Sequence, residues 1–290
     1  MSRHCALIIN PTAGSYSKEN VAEITTALGA CGFSPETYLT GSPEDAARFA
    51  REVSAARREP FIVVCGGDGT VNGVLNGLEP GRATLAVLPF GTSNVLAREL
   101  GIISRADGLR KIAAGVSRPL SVGLLEAAGT RRVFALMAGA GFDGAVVAGV
   151  RAAEKERFGK LAYILSAVRL LRAWERNHVE IVADGEKRSC HSVIACNASR
   201  YGGNFTLARG ADIFSPGFSV ICVKSSARRA YLGLAWNVMR GRDIECPDVE
   251  IMTARTLTVS GDKAVQADGD YLCRGPVVIR AMEGFARLIL

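Results

Sequence analysis

The stretch Val63–Leu78, "VVCGGDGTVNGVLNGL", decides how the chain is read. An apolar run ends in glycine, a single carboxylate (Asp68) sits among three glycines, and a helix-like segment follows. A glycine-rich turn between a strand end and a helix start points backbone N–H groups at an anion, helped by the positive end of the helix dipole. Gly66, Gly67 and Gly69 are expected to take positive φ, so that the backbone approaches a phosphate with no Cβ in the way. The pattern is not the Walker A loop, because no lysine follows, and it is not GxGxxG. A carboxylate among phosphate-facing amides makes sense when a divalent cation, Mg²⁺, lies between it and the phosphate. The competing reading is a plain turn in which Asp68 acts as a cap, with Thr70 and Asn72 following it.

A second loop has the same design. "AVLPFGTSNVLA" (86–97) leaves a strand through Pro-x-Gly-Thr and enters a helix, with Gly91 at the turn. Thr92 and Ser93 are expected to cap that helix and donate to a phosphate oxygen. "INPTAG" (9–14) is a third such element, in which Asn10 either faces a nucleotide or makes a simple Asn-Pro turn. Loops that follow neighbouring strands of one sheet converge at its C-terminal edge, where open α/β sheets bind ligands.

Around these loops the first third alternates. "HCALIIN", "FSPETYLT", "PFIVVCGG" and "ATLAVLPFG" read as strands. The segments between them read as helices, with "SPEDAARF" giving a helix start at Ser-Pro-Glu. That rhythm implies βαβ units and a mostly parallel sheet. After about Pro119 it changes to strand-like runs separated by Gly, Asp and Ser turns, with the Asp-Gly of a tight hairpin in "VEIVADGEKRS". Two helices, near 151–176 and 226–240, interrupt them. The expected architecture is an α/β nucleotide domain over residues 1–122, with 276–290 as a candidate addition, and a β-rich antiparallel, sandwich-like domain over 123–275. No low-complexity linker separates the two, so the cleft between them is the expected site.

At 290 residues, with 48% hydrophobic and 22% charged, the chain has a packed core rather than disorder. Its net charge of +7 favours an anionic partner: nucleic acid, an anionic lipid surface or nucleotide phosphate. Nucleic acid has no motif or interleaved aromatic platform behind it. The eight cysteines are scattered without any CxxC, and several lie in apolar runs, as free core cysteines do. With no secretory signal, a reducing cytoplasm is the expected compartment. "VFALMAGAGFDGAVVAGV" (133–150) is long enough to suggest a membrane span, but Asp143 and its glycines argue for two buried pieces and a turn. Between 151 and 178, Leu161, Ile164, Leu165, Val168 and Leu171 fall on one helical face. Arg151, Lys155, Arg157, Lys160, Arg169, Arg172 and Arg176 flank that face, with Trp174 near the end. Such a stripe either faces the protein core or lies on an anionic bilayer.

In order along nearly the whole chain, "NPTAG" (10–14), "GGDGTVN" (66–72), "LPFGTSN" (88–94), "GFDG" (141–144), "RYGGNF" (200–205) and "QADGD" (266–270) resemble the diacylglycerol kinase catalytic-domain family. The likeness is strongest to its soluble bacterial lipid kinases and their sphingosine-kinase relatives. The resemblance implies ATP-dependent phosphorylation of a lipid hydroxyl, with a β-sandwich domain receiving the lipid. It places Thr40, Gly66, Gly67, Asp68, Gly69, Thr70 and Thr92 at ATP, and Asn10, Asn72 and Gly91, from the same loops, complete the candidate ATP-binding set. It puts Asp68 at the Mg²⁺–phosphate end and Asp270 at the general base, with Asp268 as the nearest rival. It further implies a cytoplasmic enzyme that meets an anionic membrane surface transiently; a homodimer stays open.

Departures accompany the likeness. Asp270 stands where the family has glutamate, a reach shorter by about 1–1.5 Å. Gly73 and Val95 stand where many members carry acidic residues. Ser215, Pro216 and Ser219 replace the carboxylates of the family's structural Mg²⁺ site, which is therefore not expected, Asp212 being a poor substitute. The rival readings are an NAD kinase-like enzyme, which shares GGDGT, and a nucleotide-binding sensor without turnover. The acceptor lipid is not readable from the sequence.

Overall fold

β1 (Arg3–Ile9) is buried from Cys5 to Ile9, as a parallel strand covered on both faces must be. In the computed structural model, which describes residues 2–127, 129–151, 153, 154, 157, 159, 161–203, 205–244 and 246–290, the chain forms two units. One comprises Met1–Ser121 with Glu283–Leu290, the other Val122–Met282.

In the first unit, β2 (Phe33–Leu39), β1, β3 (Phe61–Gly66) and β4 (Thr84–Pro89) lie side by side in that order, all parallel. The end of the last strand, β18 (Val277–Ile289), pairs in parallel with β4 through Arg287 and Leu288. Edge strand β2, buried only at Phe33, tolerates Pro35, which a central strand would not. The intervening helices are α1 (Lys18–Ala30), α2 (Asp45–Ala56), α3 (Asp68–Gly77), α4 (Val95–Glu99) and α5 (Arg105–Ala114). Ser17 caps α1, and Ser104 with Asp107 makes a capping box on α5. α2 starts at Asp45 rather than at Ser42: the Asp45 carboxylate turns back onto the Gly41 and Ser42 N–H groups at 2.7 and 2.9 Å, and so keeps those residues in a turn. α2 and α3 pack backbone to backbone. A Cβ on Gly77 would lie 2.1 Å from the Ala47 carbonyl oxygen, and one on Gly73 2.9 Å from Ala46 Cβ. An acidic side chain at 73 has no room in this packing.

β5 (Ser117–Ala127) carries the chain into the second unit, where β6 (Thr130–Phe134) folds back on it. β7 (Met137–Ala140), β10 (Ser192–Cys196), β13 (Phe218–Val223), β14 (Val249–Ala254), β16 (Ala264–Ala267) and β17 (Asp270–Arg274) form an antiparallel sheet in the order β14-β13-β10-β7-β16-β17. β8 (Val179–Ala183), β9 (Glu186–Cys190), β15 (Thr256–Ser260) and the start of β18 form a second antiparallel layer. Between the layers Phe134 stacks on Phe218 at 5.7 Å, amid Val193, Val220, Ile181, Leu257 and Ile279. β11 (Arg200–Tyr201) and β12 (Phe205–Thr206) make a small hairpin. Helix α8 (Arg228–Met239) covers the outer face of the six-stranded sheet through Ala230, Tyr231 and Leu234. Covered on both faces, β10 and β13 are buried throughout, which explains their unbroken apolar runs. The Asp184-Gly185 hairpin forms with φ of 47° and 91°, the pair a tight primed turn requires. All eight cysteines are free.

The segment 133–150 folds as the end of β6, β7 and a short helix, α6 (Phe142–Ala148). Among the described residues no helix is long and apolar enough to cross a membrane. The amphipathic helix, α7 (Leu161–Arg172), corrects the core reading of its stripe. Leu161, Ile164, Leu165 and Val168 are 58, 59, 42 and 47% exposed. The buried face consists of Ala162 and Ser166, small residues that allow α7 to sit close on α6: Ser166 Oγ donates to the Val146 carbonyl at 2.7 Å. Trp174 does not extend that surface; it packs against Phe142, His191 and Tyr231, and its Nε1 donates to the Ser226 carbonyl. Lys155, Lys160 and Asn204 lie outside the described residues.

Candidate active site

Strand register alone brings the first unit's loops together. Ile9 is paired with both Leu39 and Cys65, and Gly66 with Pro89. Backbone bonds continue one step past the strands: Thr40 N–H to Ile9, Asn10 N–H to Cys65 and Phe90 N–H to Gly66. Thr40, Asn10, Gly66 and Gly91 therefore line one edge, the C-terminal edge of β2-β1-β3-β4. In this order the chain reverses direction across the sheet between β1 and β3, the point at which open α/β sheets hold their ligands.

The loops also touch. Asn10 Nδ2 donates to Thr70 Oγ1 at 3.4 Å, while Asn10 Oδ1 takes the Thr12 N–H and Oγ1 at 2.9 and 2.8 Å. The turn reading of Asn10 thus holds together with its place at the edge. Ser15 N–H bonds the Phe90 carbonyl and ties the loop after β1 to the loop after β4. The glycines are required by close packing and not by left-handed backbone: none of Gly66, Gly67 or Gly69 has positive φ. A Cβ on Gly66 would lie 2.4 Å from Thr70 Oγ1, and one on Gly91 2.6 Å from Gly67 Cα. Gly69 differs, since a Cβ there would meet nothing within 4 Å. It is exposed, at the first turn of α3.

Asp68 is half-buried, and its Oδ1 accepts the Leu96 N–H at 3.1 Å. It therefore caps α4, a five-residue helix begun by Asn94 at φ 46° without a side-chain cap of its own. Thr92 and Ser93 do not cap it. Asn94 instead clamps Gly91, Oδ1 accepting its N–H at 2.9 Å and Nδ2 donating to its carbonyl at 2.6 Å. Thr92 remains exposed at the edge. Asn72 is only 2% exposed and shares its amide oxygen with Asn76 Nδ2 at 3.0 Å, so it supports the loop from inside α3. Thr40, 8% exposed, leads into the turn that Asp45 holds. The Arg48 guanidinium, with the Gly41 amide, brings the Asp45 carboxyl down to about 2. Beside the loop after β4 lies a cavity of about 440 Å³, lined by Pro89, Gly91, Asn94, Ser104 and Arg105 among others. Of these, only Gly91 was among the residues expected at ATP.

Among the described residues no three His, Cys, Asp or Glu side chains gather as a ligand set. An Mg²⁺ ion that arrives with phosphates needs less, one or two carboxylates with water and phosphate oxygens completing the shell. Asp68, beside the open Gly69 position, fits that demand. Asp212 is taken up by its own turn, accepting the Phe214 N–H and Ser215 Oγ.

In the second unit the two acidic residues of "QADGD" have different surroundings. Asp268, at φ 49°, accepts the N–H groups of Ala135, Leu136 and Met137 at 2.8, 2.9 and 3.0 Å. Asp270 opens β17 with its side chain 53% exposed, and Arg132 lies 3.3 Å from its Oδ2. Asp143, which entered the sequence analysis within "GFDG" and as an argument against a membrane span but with no role at the site, is a buried carboxylate holding Tyr201 OH at 2.7 Å and Gln266 Nε2 at 2.6 Å. Burial raises its carboxyl above the usual range, and the two donors pull the other way. Asp143, Tyr201 and Gln266 each fall in one of the quoted stretches "GFDG", "RYGGNF" and "QADGD", and that was the signal for this cluster.

The two units are thus an α/β domain with a glycine-loop edge and an antiparallel β-sandwich, the class expected from the sequence. Residues 4–125 match the family model described as diacylglycerol kinase catalytic domain. Residues 137–290 match that of the YegS C-terminal NAD kinase beta sandwich-like domain. The chain belongs to the diacylglycerol kinase catalytic-domain family in this two-domain form. It is 29% identical to the diacylglycerol kinase of Bacillus subtilis (strain 168) over 93% of this chain and 90% of the relative. It is 25% identical to that of Mycobacterium tuberculosis (strain H37Rv) over 84 and 81%. A crystal structure from Bacillus anthracis str. Sterne, assigned as a diacylglycerol kinase, superposes with a TM-score of 0.84 at 26% identity, covering 99% of this chain and 95% of that one.

Proposed function

We propose that the chain is an ATP-dependent lipid kinase that transfers the γ-phosphate to a primary hydroxyl of diacylglycerol or a related lipid. The observation that carries this reading is the single sheet edge on which Asn10, Thr40, Gly66 to Thr70 and Gly91–Thr92 meet, within a chain of this kinase family. Phosphoryl transfer asks a protein mainly for positioning and charge stabilisation. The amides at the start of α3 and the Thr92 turn hold the phosphates, and Thr40 and Asn10 bound the nucleotide. Asp68 holds the Mg²⁺, which when bound neutralises charge on the phosphate oxygens. Asp270 accepts the proton of the attacking hydroxyl, a role worth about 10²–10⁴-fold. Asp268, with three amides on its carboxylate, is the poorer base.

The protein works in the cytoplasm and visits an anionic membrane surface through α7, whose exposed Leu161, Ile164, Leu165 and Val168 lie between Arg157 and the pair Arg172 and Arg176. Apolar side chains with a basic rim suit the headgroup boundary of such a bilayer. The test is transfer of labelled γ-phosphate from ATP·Mg²⁺ to a panel of lipids in mixed micelles, with Asp68→Ala and Asp270→Ala alongside. A labelled lipid from the wild type, lost in both variants, supports the reading and identifies the acceptor. ATP binding without a labelled lipid points to a sensor, and labelled NADP from NAD to the NAD kinase-like alternative.

A further inference from the structure

Asp143 lies in the first turn of α6, 6% exposed, and Gln266, 2% exposed, lies on β16. Gln266 bridges two places: its Nε2 is 2.6 Å from Asp143 Oδ2, and its Oε1 is 2.9 Å from the Gly269 N–H. A backbone N–H can only donate, so the amide oxygen must face Gly269 and the amide nitrogen must face Asp143. The Asp143 carboxylate is then the acceptor that holds Gln266 in this orientation, while its other oxygen takes Tyr201 OH at 2.7 Å. The direction of every donor is set from the turn back to the buried carboxylate.

The packing around it leaves no slack. A Cβ on Gly139 would lie 2.2 Å from Asp143 Oδ2, and one on Gly144 2.0 Å from the Ala264 carbonyl oxygen, so α6 sits directly on β7 and β16. Gly269 separates Asp268 from Asp270 in the turn between β16 and β17, at φ 87°. Asp268 anchors one side of that turn on the amides of residues 135–137, and Gln266 anchors its centre. Asp270 is left projecting from a turn fixed at two points. Replacing a buried charged pair by apolar residues of similar volume is often neutral or stabilising, so stability alone does not account for a carboxylate here.

We propose that Asp143 is a positioning residue which, through Gln266, fixes the Asp268–Asp270 turn and with it the direction of the Asp270 carboxylate. The inference rests on the reading of Asp270 as the base. Its test uses the geometry of the amide. In Gln266→Glu the two carboxyl groups can bridge only while they share a proton; once both are ionised, two carboxylates face each other and the bridge is driven apart. In the double variant Asp143→Asn/Gln266→Glu the donor order is restored: the Asn amide donates to the Glu carboxylate, the other Glu oxygen accepts the Gly269 N–H, and Tyr201 OH donates to the Asn oxygen. Asp143→Asn alone keeps an acceptor for Gln266 while its NH₂ donates to the Tyr201 oxygen.

Two readouts are taken on the 290-residue chain, at a pH high enough to ionise both carboxyl groups of Gln266→Glu: kcat and KM for phosphate transfer, and hydrogen exchange of the Gly269 amide. Gln266→Glu is expected to lose about 10- to 100-fold in kcat, the scale of a misplacement near 1 Å, with ATP affinity unchanged. Its Gly269 amide exchanges at least about tenfold faster, one bond's weight of protection. The double variant returns kcat and exchange to within about fivefold of wild type, and Asp143→Asn stays within that range (about 1 kcal/mol by the factor-of-ten relation). A folded double variant no better than Gln266→Glu overturns the proposal, as does a folded Asp143→Asn with the full loss, whether or not Gln266→Glu itself folds. If the wild type transfers no phosphate while Gly269 exchange follows the donor order, the kinase reading fails and the bridge stands. If transfer occurs and exchange ignores the substitutions, the bridge fails alone.

Discussion

Gly91→Ala tests whether the two glycine loops act as one cradle. A Cβ on Gly91 would lie 2.6 Å from Gly67 Cα, 3.2 Å from Gly67 N and 2.9 Å from Asn94 Oδ1. Ordinary contact begins at 3.4 Å, so the nearest pair is 0.8 Å too close. Two of the three neighbours are backbone, with no rotamer to retreat into, and the third is the side chain that clamps Gly91 through its N–H and carbonyl. The loops must part by most of that distance. Overpacking of this kind costs about 1–3 kcal/mol of stability, and a displacement near 1 Å costs about 10²-fold in a reaction that depends on positioning. The assays are urea unfolding, calorimetric titration with ATP·Mg²⁺, and turnover with the acceptor lipid. Gly69→Ala is the steric control for stability: with open space at its Cβ and no left-handed φ, it should unfold within about 0.5 kcal/mol of wild type. Gly91→Ala with wild-type nucleotide affinity and turnover would refute the claim that these loops jointly hold the phosphates.

Three further outcomes follow from the same geometry. Asp68→Asn keeps an acceptor for the Leu96 N–H and should lose transfer while holding its stability; Asp68→Ala should lose transfer and also about 0.5–2 kcal/mol, the usual worth of a helix cap, which chemical denaturation measures. His191 donates from Nε2 to the Glu175 carbonyl at 2.7 Å and accepts the Tyr231 hydroxyl at Nδ1, under the Trp174 ring. Burial first, then Lys263 and His178, lowers its pKa from 6.5. The stability this neutral ring contributes is complete above pH 6.5 and is lost as pH falls through the lowered folded value, so unfolding followed against pH should steepen below 6.5 and flatten in His191→Gln. On α7, Ile164→Glu with Val168→Glu changes two exposed positions and should weaken sedimentation with anionic vesicles at least about tenfold at an unchanged midpoint of unfolding; undiminished sedimentation would remove α7 as the membrane face.

Much of the first unit could be read from local pattern because parallel strands covered on both faces announce themselves as apolar runs, and β1, β3 and β4 are such runs. The loops after them were legible for the same reason: strand ends fix where loops begin, and register does the rest. What the glycines do was not legible. Gly66 is small because Thr70 rests on it, and Gly67 and Gly91 because they meet across 24 residues of sequence, and a contact between distant loops leaves no local trace. Asp143 was hidden likewise, its partners lying 58 and 123 residues away. The stripe on α7 misled in another way. Periodicity reveals which residues share a face but not which face is covered, and here the small pair Ala162 and Ser166 settles close on α6 while the large residues stay outside.

The departures from the family pattern concentrate the work of the edge on Asp68. Gly73 is pressed against Ala46, and Val95 is buried at the start of α4, so neither position offers a carboxylate to the loops. Asp68 meanwhile supplies the cap that α4 lacks, and α4 follows directly on the turn that carries Gly91 and Thr92. One side chain therefore ties the loop after β3 to the loop after β4, and the same side chain is the one suited to a phosphate-borne cation. A ligand that pulls Asp68 toward itself must loosen α4, and a substitution that loosens α4 must shift Asp68. For this reason the Asn and Ala variants at 68 have to be read as a pair: only their difference separates the charge from the cap.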